Sequence, residues 1–194
     1  MKKARIAVLV SGGGTNLQAL LNAQHNGILQ SGEIVLVVSA NPKAYALERA
    51  RNAGVEAVVL PGSDFEEALT RLLTDRTIDL IILAGFMRIL SADFTSRYPN
   101  RILNVHPALI PSFCGQGYYG LRVHEAALSR GVKVTGATVH FVNEIPDGGE
   151  ILLQKAVEVL PGDTPETLQR RVMEQAEWIL LPQAAELVSK GLIT

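Results

Sequence analysis

Five short runs of apolar, largely β-branched residues recur along the first part of the chain. They span Arg5 to Val10, Ile34 to Ser39, Val55 to Leu60, Asp79 to Ala84 and Ile102 to Val105. The runs are continuously hydrophobic rather than alternating, which is typical of strands buried on both faces of a sheet. Helix-like segments separate them. The pattern therefore predicts repeated β-α units around a parallel sheet, with right-handed crossovers.

The clearest helical periodicity lies between the third and fourth runs. Its apolar residues are spaced as on one face of an amphipathic helix: Phe65, Ala68, Leu69, Leu72 and Leu73. Ser63 or Asp64 is expected to cap the start of this helix, because short polar side chains accept hydrogen bonds from free helical N–H groups.

The second half of the chain breaks the regular alternation. Residues 107–120 form a loop rich in proline, glycine and aromatic residues, and two further strands are predicted, Lys133 to Phe141 and Glu150 to Val159. The short turn between these strands favours an antiparallel pair. Thr164 and Pro165 then begin a last helix, predicted over residues 164–190, as its N-cap and first helical residue.

The last helix carries a stripe expected to face the core, made of Leu168, Val172, Ala176, Ile179 and Leu180. Pro182 should kink this helix or divide it in two. Together the elements predict a single-domain α/β fold over residues 1–194. It is Rossmann-like and doubly wound, with a mostly parallel sheet of about seven strands and an antiparallel strand near one edge.

Composition narrows the class of protein. The chain has 194 residues, of which 47% are hydrophobic and 19% charged, and a formal charge of −1. These values exclude intrinsic disorder and give no basic surface for a nucleic-acid backbone. One cysteine, Cys114, precludes an internal disulfide and fits a reducing compartment. With no signal-peptide pattern and no long apolar segment, we expect a cytoplasmic protein without a membrane span.

A glycine-rich loop follows the first strand directly. Gly12, Gly13, Gly14, Thr15 and Asn16 lie in this loop. Glycines allow backbone N–H groups to approach an anion, and a helix start adds free N–H groups and a positive dipole end. A phosphate site is therefore favoured, with a structural tight turn as the alternative. Neither the third glycine of a dinucleotide fingerprint nor a Gly-Lys-Ser/Thr sequence is present, so a small phosphate ester is a better candidate than NAD or ATP.

Asn104 and His106 lie two residues apart at the end of the fifth strand, so their side chains project from the same face. Open α/β sheets bind their ligands at that edge. An amide and an imidazole there could polarise a carbonyl and transfer a proton. Asp147, on a turn next to two glycines, is a candidate carboxylate partner for His106. Structural roles at a strand end and a turn are the alternatives, and His140 is expected to be a half-buried residue without a catalytic role.

The loop after the fourth strand contains Met87, Arg88, Ile89 and Leu90. Its apolar side chains could wall a flat heterocycle whose edge bonds to the backbone. The alternative assigns Phe86, Ile89 and Leu90 to the core and leaves Arg88 as a surface charge.

Taken in order, the motifs Ser-Gly-Gly-Gly-Thr-Asn-Leu, Ala-Gly-Phe-Met-Arg-Ile-Leu, Asn-Val-His-Pro, Ile-Pro-Ser-Phe and Val-His-Phe-Val with Asp-Gly-Gly closely resemble the folate-dependent phosphoribosylglycinamide formyltransferase family. The resemblance spans almost the whole chain. It implies formyl transfer from 10-formyltetrahydrofolate, as co-substrate, to glycinamide ribonucleotide. No metal, nucleic acid or membrane is implied, and the protein could be a monomer or a homodimer.

The resemblance also implies roles for individual residues. Asn104, His106 and Asp147 match the catalytic trio, in which Asp147 would keep His106 charged. The ribonucleotide would contact Gly12 to Asn16 and Glu177. The folate site would comprise Met87, Arg88, Ile89, Leu90, Asn104, Asn143, Glu144 and Asp147. Residues 1–100 would then form the ribonucleotide-binding part and residues 84–160 the folate-binding and catalytic part.

Two positions depart from the family pattern. Phe65 stands where many relatives carry a basic residue, and the segment from Cys114 to His124 replaces a shorter Pro-Gly-x-His-Ala stretch. Three other functions remain to be separated by assay. They are a formyltetrahydrofolate hydrolase with the same trio, a non-catalytic module that binds a phosphate ligand, and a metal hydrolase that uses His106, His140 and Asp147.

Overall fold

In a computed structural model, residues 2–192 are described, and they are organised around one seven-stranded sheet of order β3-β2-β1-β4-β5-β6-β7. The strands are β1 (Ala4–Val10), β2 (Gly32–Ser39), β3 (Glu56–Val59), β4 (Leu80–Leu83), β5 (Ile102–His106), β6 (Val134–Phe141) and β7 (Ile151–Glu158). All seven predicted strands are confirmed, with ends that differ by no more than two residues.

Strands β1 to β5 run parallel, whereas β6 is antiparallel to both of its neighbours, β5 and β7. The prediction of a mixed sheet with an antiparallel strand near one edge is therefore confirmed. Because β1, β4 and β5 are parallel, their carboxyl ends open at the same edge of the sheet. The glycine-rich loop after β1, the loop after β4 with Met87 to Leu90, and the end of β5 with Asn104 and His106 lie at that edge.

Helices cover both faces of the sheet. They are α1 (Thr15–His25), α2 (Tyr45–Asn52), α3 (Phe65–Asp75), α4 (Ala92–Ser96), α5 (Leu121–Arg130), α6 (Pro165–Val172) and α7 (Trp178–Leu192), with a π-helical turn, Met173–Glu177, between the last two. We call this segment the π turn. None of the helices within residues 2–192 has the length and hydropathy needed to cross a membrane.

Two apolar cores lie on opposite sides of the sheet. Along β1, Ile6 and Val8 belong to one core, while Ala7 and Leu9 belong to the other. All four side chains are fully buried. Each large aliphatic side chain buried in this way contributes about 1.5–3 kcal/mol relative to exposure. The continuous hydrophobicity of the runs thus reflects burial on both faces.

The last helix differs from the prediction. Thr164 and Pro165 do begin it, and Thr164 forms a capping box with Thr167. However, Pro182 lies inside α7 and does not divide it. The missing N–H of Pro182 would have bonded to the carbonyl of Trp178, so α7 lacks one backbone hydrogen bond there and continues past it. The interruption lies upstream, at the π turn, and Ile179 of the expected core stripe is partly exposed.

Candidate active site

A cleft of about 700 Å³ opens at the carboxyl edge of the sheet, a volume within the usual range for small-molecule sites. It is bordered by the ends of β4, β5 and β6, the loop before α5, the turn between β6 and β7, and the π turn. The predicted residues that line it are Asn16, Met87, Arg88, Ile89, Leu90, Asn104, His106, Asn143, Glu144, Asp147 and Glu177. Parts of the chain up to 161 residues apart thus meet in one cleft.

Asn104 is placed by strand pairing. The register of β5 and β6 sets Asn104 opposite His140, and the Asn104 amide nitrogen lies 3.1 Å from His140 Nε2. His140 Nδ1 lies 2.8 Å from the carbonyl oxygen of Phe141. Because that carbonyl can only accept, Nδ1 carries a hydrogen. Nε2 faces both the Asn104 amide and Asp147 Oδ1, and it accepts from Asn104 when the ring is neutral. One amide hydrogen of Asn104 remains for another acceptor.

His106 is buried at the end of β5 and faces an acceptor on each side. Its Nε2 lies 2.8 Å from the carbonyl oxygen of Phe113, to which it donates, and its Nδ1 lies 3.5 Å from Asp147 Oδ2. Burial disfavours the charged ring more than Asp147 and Phe113 favour it, so the pKa of His106 lies below its ordinary value. Asp147 favours the charged ring, but burial outweighs it, so a charged His106 during the reaction stays a prediction.

Asp147 occupies the turn between β6 and β7 with a φ of 55°, a left-handed conformation that aspartate tolerates better than most residues. Its Oδ2 accepts a hydrogen bond of 2.8 Å from the N–H of Gly115, and its Oδ1 lies 3.5 Å from His140 Nε2. Burial raises the pKa of this carboxyl, but His140, the Gly115 N–H and the charge of His106 together hold the pKa below its usual value. Asp147 is therefore a carboxylate at neutral pH.

The glycine-rich loop presents its backbone N–H groups outward. The carbonyl oxygens of Gly12 and Gly13 accept hydrogen bonds from Ala46 N and Arg49 Nε, at 3.0 and 2.8 Å. Gly14 has a φ of 76°, and a Cβ there would lie 2.6 Å from the Ala46 side chain. Within residues 2–192, nothing accepts a hydrogen bond from the N–H groups of Gly13, Gly14 or Thr15. They form an anion-binding arrangement at a helix start.

Within this loop, Asn16 alone reaches the lining of the main cleft. Its side-chain nitrogen donates a hydrogen bond of 2.8 Å to Glu177 Oε2 in the π turn, and both residues are buried. Burial outweighs this single hydrogen bond and raises the pKa of Glu177 to about 7. Short π-helical segments within helices occur frequently at functional sites, and this one turns a buried glutamate toward the cleft.

The residues predicted to line a heterocycle lie partly in the core and partly at the surface. Leu90 is buried, but Met87 is 56% and Ile89 is 73% exposed. These two apolar side chains stand at the mouth of the cleft without covering neighbours, so the alternative that placed Ile89 in the core is wrong. Across the cleft, Asn143 accepts from the N–H of Ile145 at 3.0 Å and shapes the turn that carries Asp147.

Two features were missed in the sequence. His140 is buried rather than half-buried and contacts both Asn104 and Asp147. The loop residues Phe113 and Gly115 hold His106 and Asp147. His140 could have been found from strand pairing, because it projects from the same face of the sheet as Asn104. No local pattern identifies the carbonyl of Phe113 or the N–H of Gly115.

Two alternative reactive groups find little support. The Cys114 thiol donates to the carbonyl of Pro111 at 3.3 Å, and burial followed by the charge of Asp147 raises its pKa, which disfavours the reactive thiolate. In the part of the chain that the structure describes, no group of three or more His, Cys, Asp or Glu side chains is arranged to hold a metal ion. The metal-free reaction stays a prediction.

Comparison with known proteins identifies the family. A model of the formyl transferase family matches residues 4–184. The chain belongs to this family. The formyl transferase family match covers every predicted site residue, from Gly12 to Glu177.

Similar proteins of the formyl transferase family carry more specific names. The chain is 40% identical to phosphoribosylglycinamide formyltransferase of Haemophilus influenzae, with 98% of this chain and 89% of that protein aligned. It is 45% identical to the trifunctional purine biosynthetic protein adenosine-3 of Gallus gallus, over 98% of this chain but only 19% of that protein. This chain thus spans about a fifth of the length of that relative.

A solved structure shows the same fold. Glycinamide ribonucleotide transformylase 1 of Symbiobacterium toebii superposes with a TM-score of 0.90 at 44% identity, covering 97% of this chain and 89% of that one. The Rossmann-like α/β formyltransferase fold is therefore confirmed.

Proposed function

We propose that the protein transfers the formyl group of 10-formyltetrahydrofolate to the amine of glycinamide ribonucleotide in purine biosynthesis. The products are formylglycinamide ribonucleotide and tetrahydrofolate. The family match and the similar named transferases support this activity. The observation that carries the proposal is the meeting of Asn104, His106 and Asp147 in one cleft, beside a helix start with free N–H groups.

The two substrates would occupy different parts of the cleft. The ribonucleotide phosphate would bind the N–H groups of Gly12, Gly13, Gly14 and Thr15, with Asn16 and Glu177 beside the sugar. The folate would lie against Met87, Arg88, Ile89 and Leu90 on one side and Asn143, Glu144 and Asp147 on the other. The ribonucleotide part would thus comprise about residues 1–100 and the folate and catalytic part about residues 84–160.

The chemistry needs no covalent enzyme intermediate. The substrate amine attacks the formyl carbon, and the carbon bond to N10 of the folate breaks as that nitrogen leaves. Negative charge develops on the formyl oxygen, where the free amide hydrogen of Asn104 and the Nδ1–H of His106, once it is protonated, would donate hydrogen bonds. Loss of one donor of this kind typically costs about 3 kcal/mol in barrier height.

The Phe113 carbonyl determines which nitrogen of His106 reacts. Because Nε2 keeps its hydrogen to donate to that carbonyl, Nδ1 is the nitrogen that gains and loses a proton next to Asp147. The depressed pKa leaves His106 mainly neutral until charge develops on the substrate. Asp147 would stabilise the ring as it becomes charged and assist proton transfer from the attacking to the leaving nitrogen.

We also propose that the enzyme works in the cytoplasm, as a monomer or homodimer, and without a bound metal ion. The single cysteine supports a reducing compartment. Exhaustive chelation should leave turnover unchanged, and a loss of activity that zinc restores would support the metal hydrolase instead.

The decisive experiment mixes purified protein with glycinamide ribonucleotide and 10-formyltetrahydrofolate. Formyl transfer to the amine is the expected result, measured as tetrahydrofolate release that depends on the ribonucleotide. Release of formate without the ribonucleotide would indicate a hydrolase. Binding of both ligands without turnover would indicate a non-catalytic module.

A further inference from the structure

A second pocket, of about 350 Å³, adjoins the folate side of the main cleft. The two share Arg88, Ile89 and Leu90 as lining residues. A ligand whose ring lies against these residues in the main cleft would therefore direct its extension into the second pocket. If the proposed function is correct, that extension is the benzoyl-glutamate tail of the folate, and we call this space the tail pocket.

Stacked aromatic side chains hold Arg88, the one cation among the residues that line the tail pocket. The guanidinium carbon of Arg88 lies 4.7 Å from the centre of the Phe65 ring, which itself stacks on Phe86 at 5.7 Å. The same guanidinium donates to the carbonyl of Gly62 at 3.3 and 3.4 Å. Phe65 is 2% exposed, so it provides a rigid apolar surface and no charge. One anionic group can pair with Arg88 here.

The other charges of the tail pocket are negative. Three of its eight lining residues are carboxylates, Asp64, Glu66 and Glu67, and Arg88 is the one cation among them. Glu66 is held in place by the N–H and hydroxyl of Ser91, at 2.7 and 2.5 Å. Asp64 and Glu67 are exposed at the rim, and Glu67 pairs outward with Arg71.

Helix α3 begins at this pocket, with Asp64 at its N-cap and Glu66 and Glu67 in its first turn. A helix start normally attracts anions. Here its positive dipole end is already compensated by carboxylates, so it offers little to a further negative group. The lining carries a formal charge of −2, the difference between one cation and three anions.

We propose that the tail pocket accepts folate with a single glutamate and gives no advantage to polyglutamylated folate. This inference rests on the proposed function. Each γ-linked glutamate added to the tail brings one more carboxylate to a rim where Glu67 is paired with Arg71 and Asp64 has no ion pair among the described residues. Like charges at an exposed rim repel each other weakly but measurably at low ionic strength.

The test compares the KM of monoglutamyl and triglutamyl 10-formyltetrahydrofolate at saturating glycinamide ribonucleotide and low salt. We expect the triglutamyl KM to equal or exceed the monoglutamyl KM. A lower triglutamyl KM would overturn the inference. Absence of turnover with both forms would instead count against the proposed function, so the two failures are distinguishable.

The double variant Asp64→Asn/Glu67→Gln should lower the triglutamyl KM about threefold relative to the monoglutamyl KM, because it removes two rim charges. The matched control, Glu33→Gln/Asp75→Asn, makes the same change of charge at exposed positions outside the pocket and should leave the ratio unchanged. An unchanged ratio in the first variant, or an equal shift in the control, would show that the rim carboxylates do not set the preference.

Discussion

The half-buried Asp147 and the buried Glu177 line the same cleft, and the pKa values of their carboxyl groups are shifted in opposite directions. Asp147 has the N–H of Gly115 and two imidazoles nearby, and its pKa is lowered. Glu177 has one amide donor, from Asn16, and its pKa is raised to about 7. Burial raises both pKa values, so the number of donors and charges that face each carboxyl group decides the outcome.

This difference separates two tasks. A carboxylate that stays ionised can stabilise an imidazolium and accept a proton, as proposed for Asp147. A carboxyl group that titrates near neutrality can be either a donor or an acceptor toward a sugar hydroxyl, as proposed for Glu177. The groups that surround each carboxyl group thus set its pKa and the task that it can perform.

We expect the largest effect on turnover from replacing either His106 or Asp147. His106→Ala and Asp147→Asn should each lower turnover by about a hundredfold or more, because each removes charge stabilisation that is needed mainly in the transition state. Folate binding, measured by fluorescence titration, should change little. Near-normal turnover in either variant would mean that the catalytic assignment of that residue is wrong.

Glu177→Gln tests the raised pKa of Glu177 through the pH dependence of the free energy of unfolding. A glutamate in the unfolded chain ionises near pH 4.5 and Glu177 near 7. The native state therefore loses stability as the pH rises through that window, by about 3 kcal/mol. Urea unfolding at pH 5 and pH 8 should show that the free energy of unfolding of the variant, relative to that of the wild type, is higher at pH 8. A constant difference between the two proteins would contradict the raised pKa.

His124 extends the comparison to a buried group without any partner. Neither of its ring nitrogens has a hydrogen-bond partner among the described residues, and burial, followed by the charge of His106, lowers its pKa to about 4. Since the unfolded chain takes up the proton first, the wild type should lose about 2 kcal/mol of stability between pH 7 and pH 5.

The variant His124→Leu should be free of that loss and at least as stable as the wild type at pH 7, because it removes unpaired buried polar atoms. Unfolding curves at both pH values measure this. Equal acid sensitivity of the two proteins would show that His124 does not titrate as expected.

The smallest expected effect concerns Asn16, which donates the one hydrogen bond to the Glu177 carboxyl group. Asn16→Ala removes the hydrogen bond that partly offsets burial of Glu177. The pKa of Glu177 should rise further, by up to about one unit, for a hydrogen bond worth about 1 kcal/mol. The pH midpoint of the stability difference between Asn16→Ala and its combination with Glu177→Gln reports that pKa. A downward shift would contradict the role of Asn16.

Much of the fold was predictable because hydrophobic periodicity is local. The strand that ends in Asn104 and His106, and the Thr164 cap, were found from neighbouring residues alone. The expected division of the last helix at Pro182 does not occur, and the π turn was not predicted because it has no signature in the sequence.

Individual residues of the site were predictable from the sequence, but the contacts between them were not. The sequence by itself determined which residues stand at strand ends and turns, and therefore placed Asn104 and His106 at the correct edge of the sheet and Asp147 on a turn as their candidate partner. Only the tertiary structure decided that His140 lies opposite Asn104 and that Glu177 meets Asn16 across 161 positions. Burial and pKa depend on what surrounds a group in space, and local patterns carry no information about neighbours that come from distant segments.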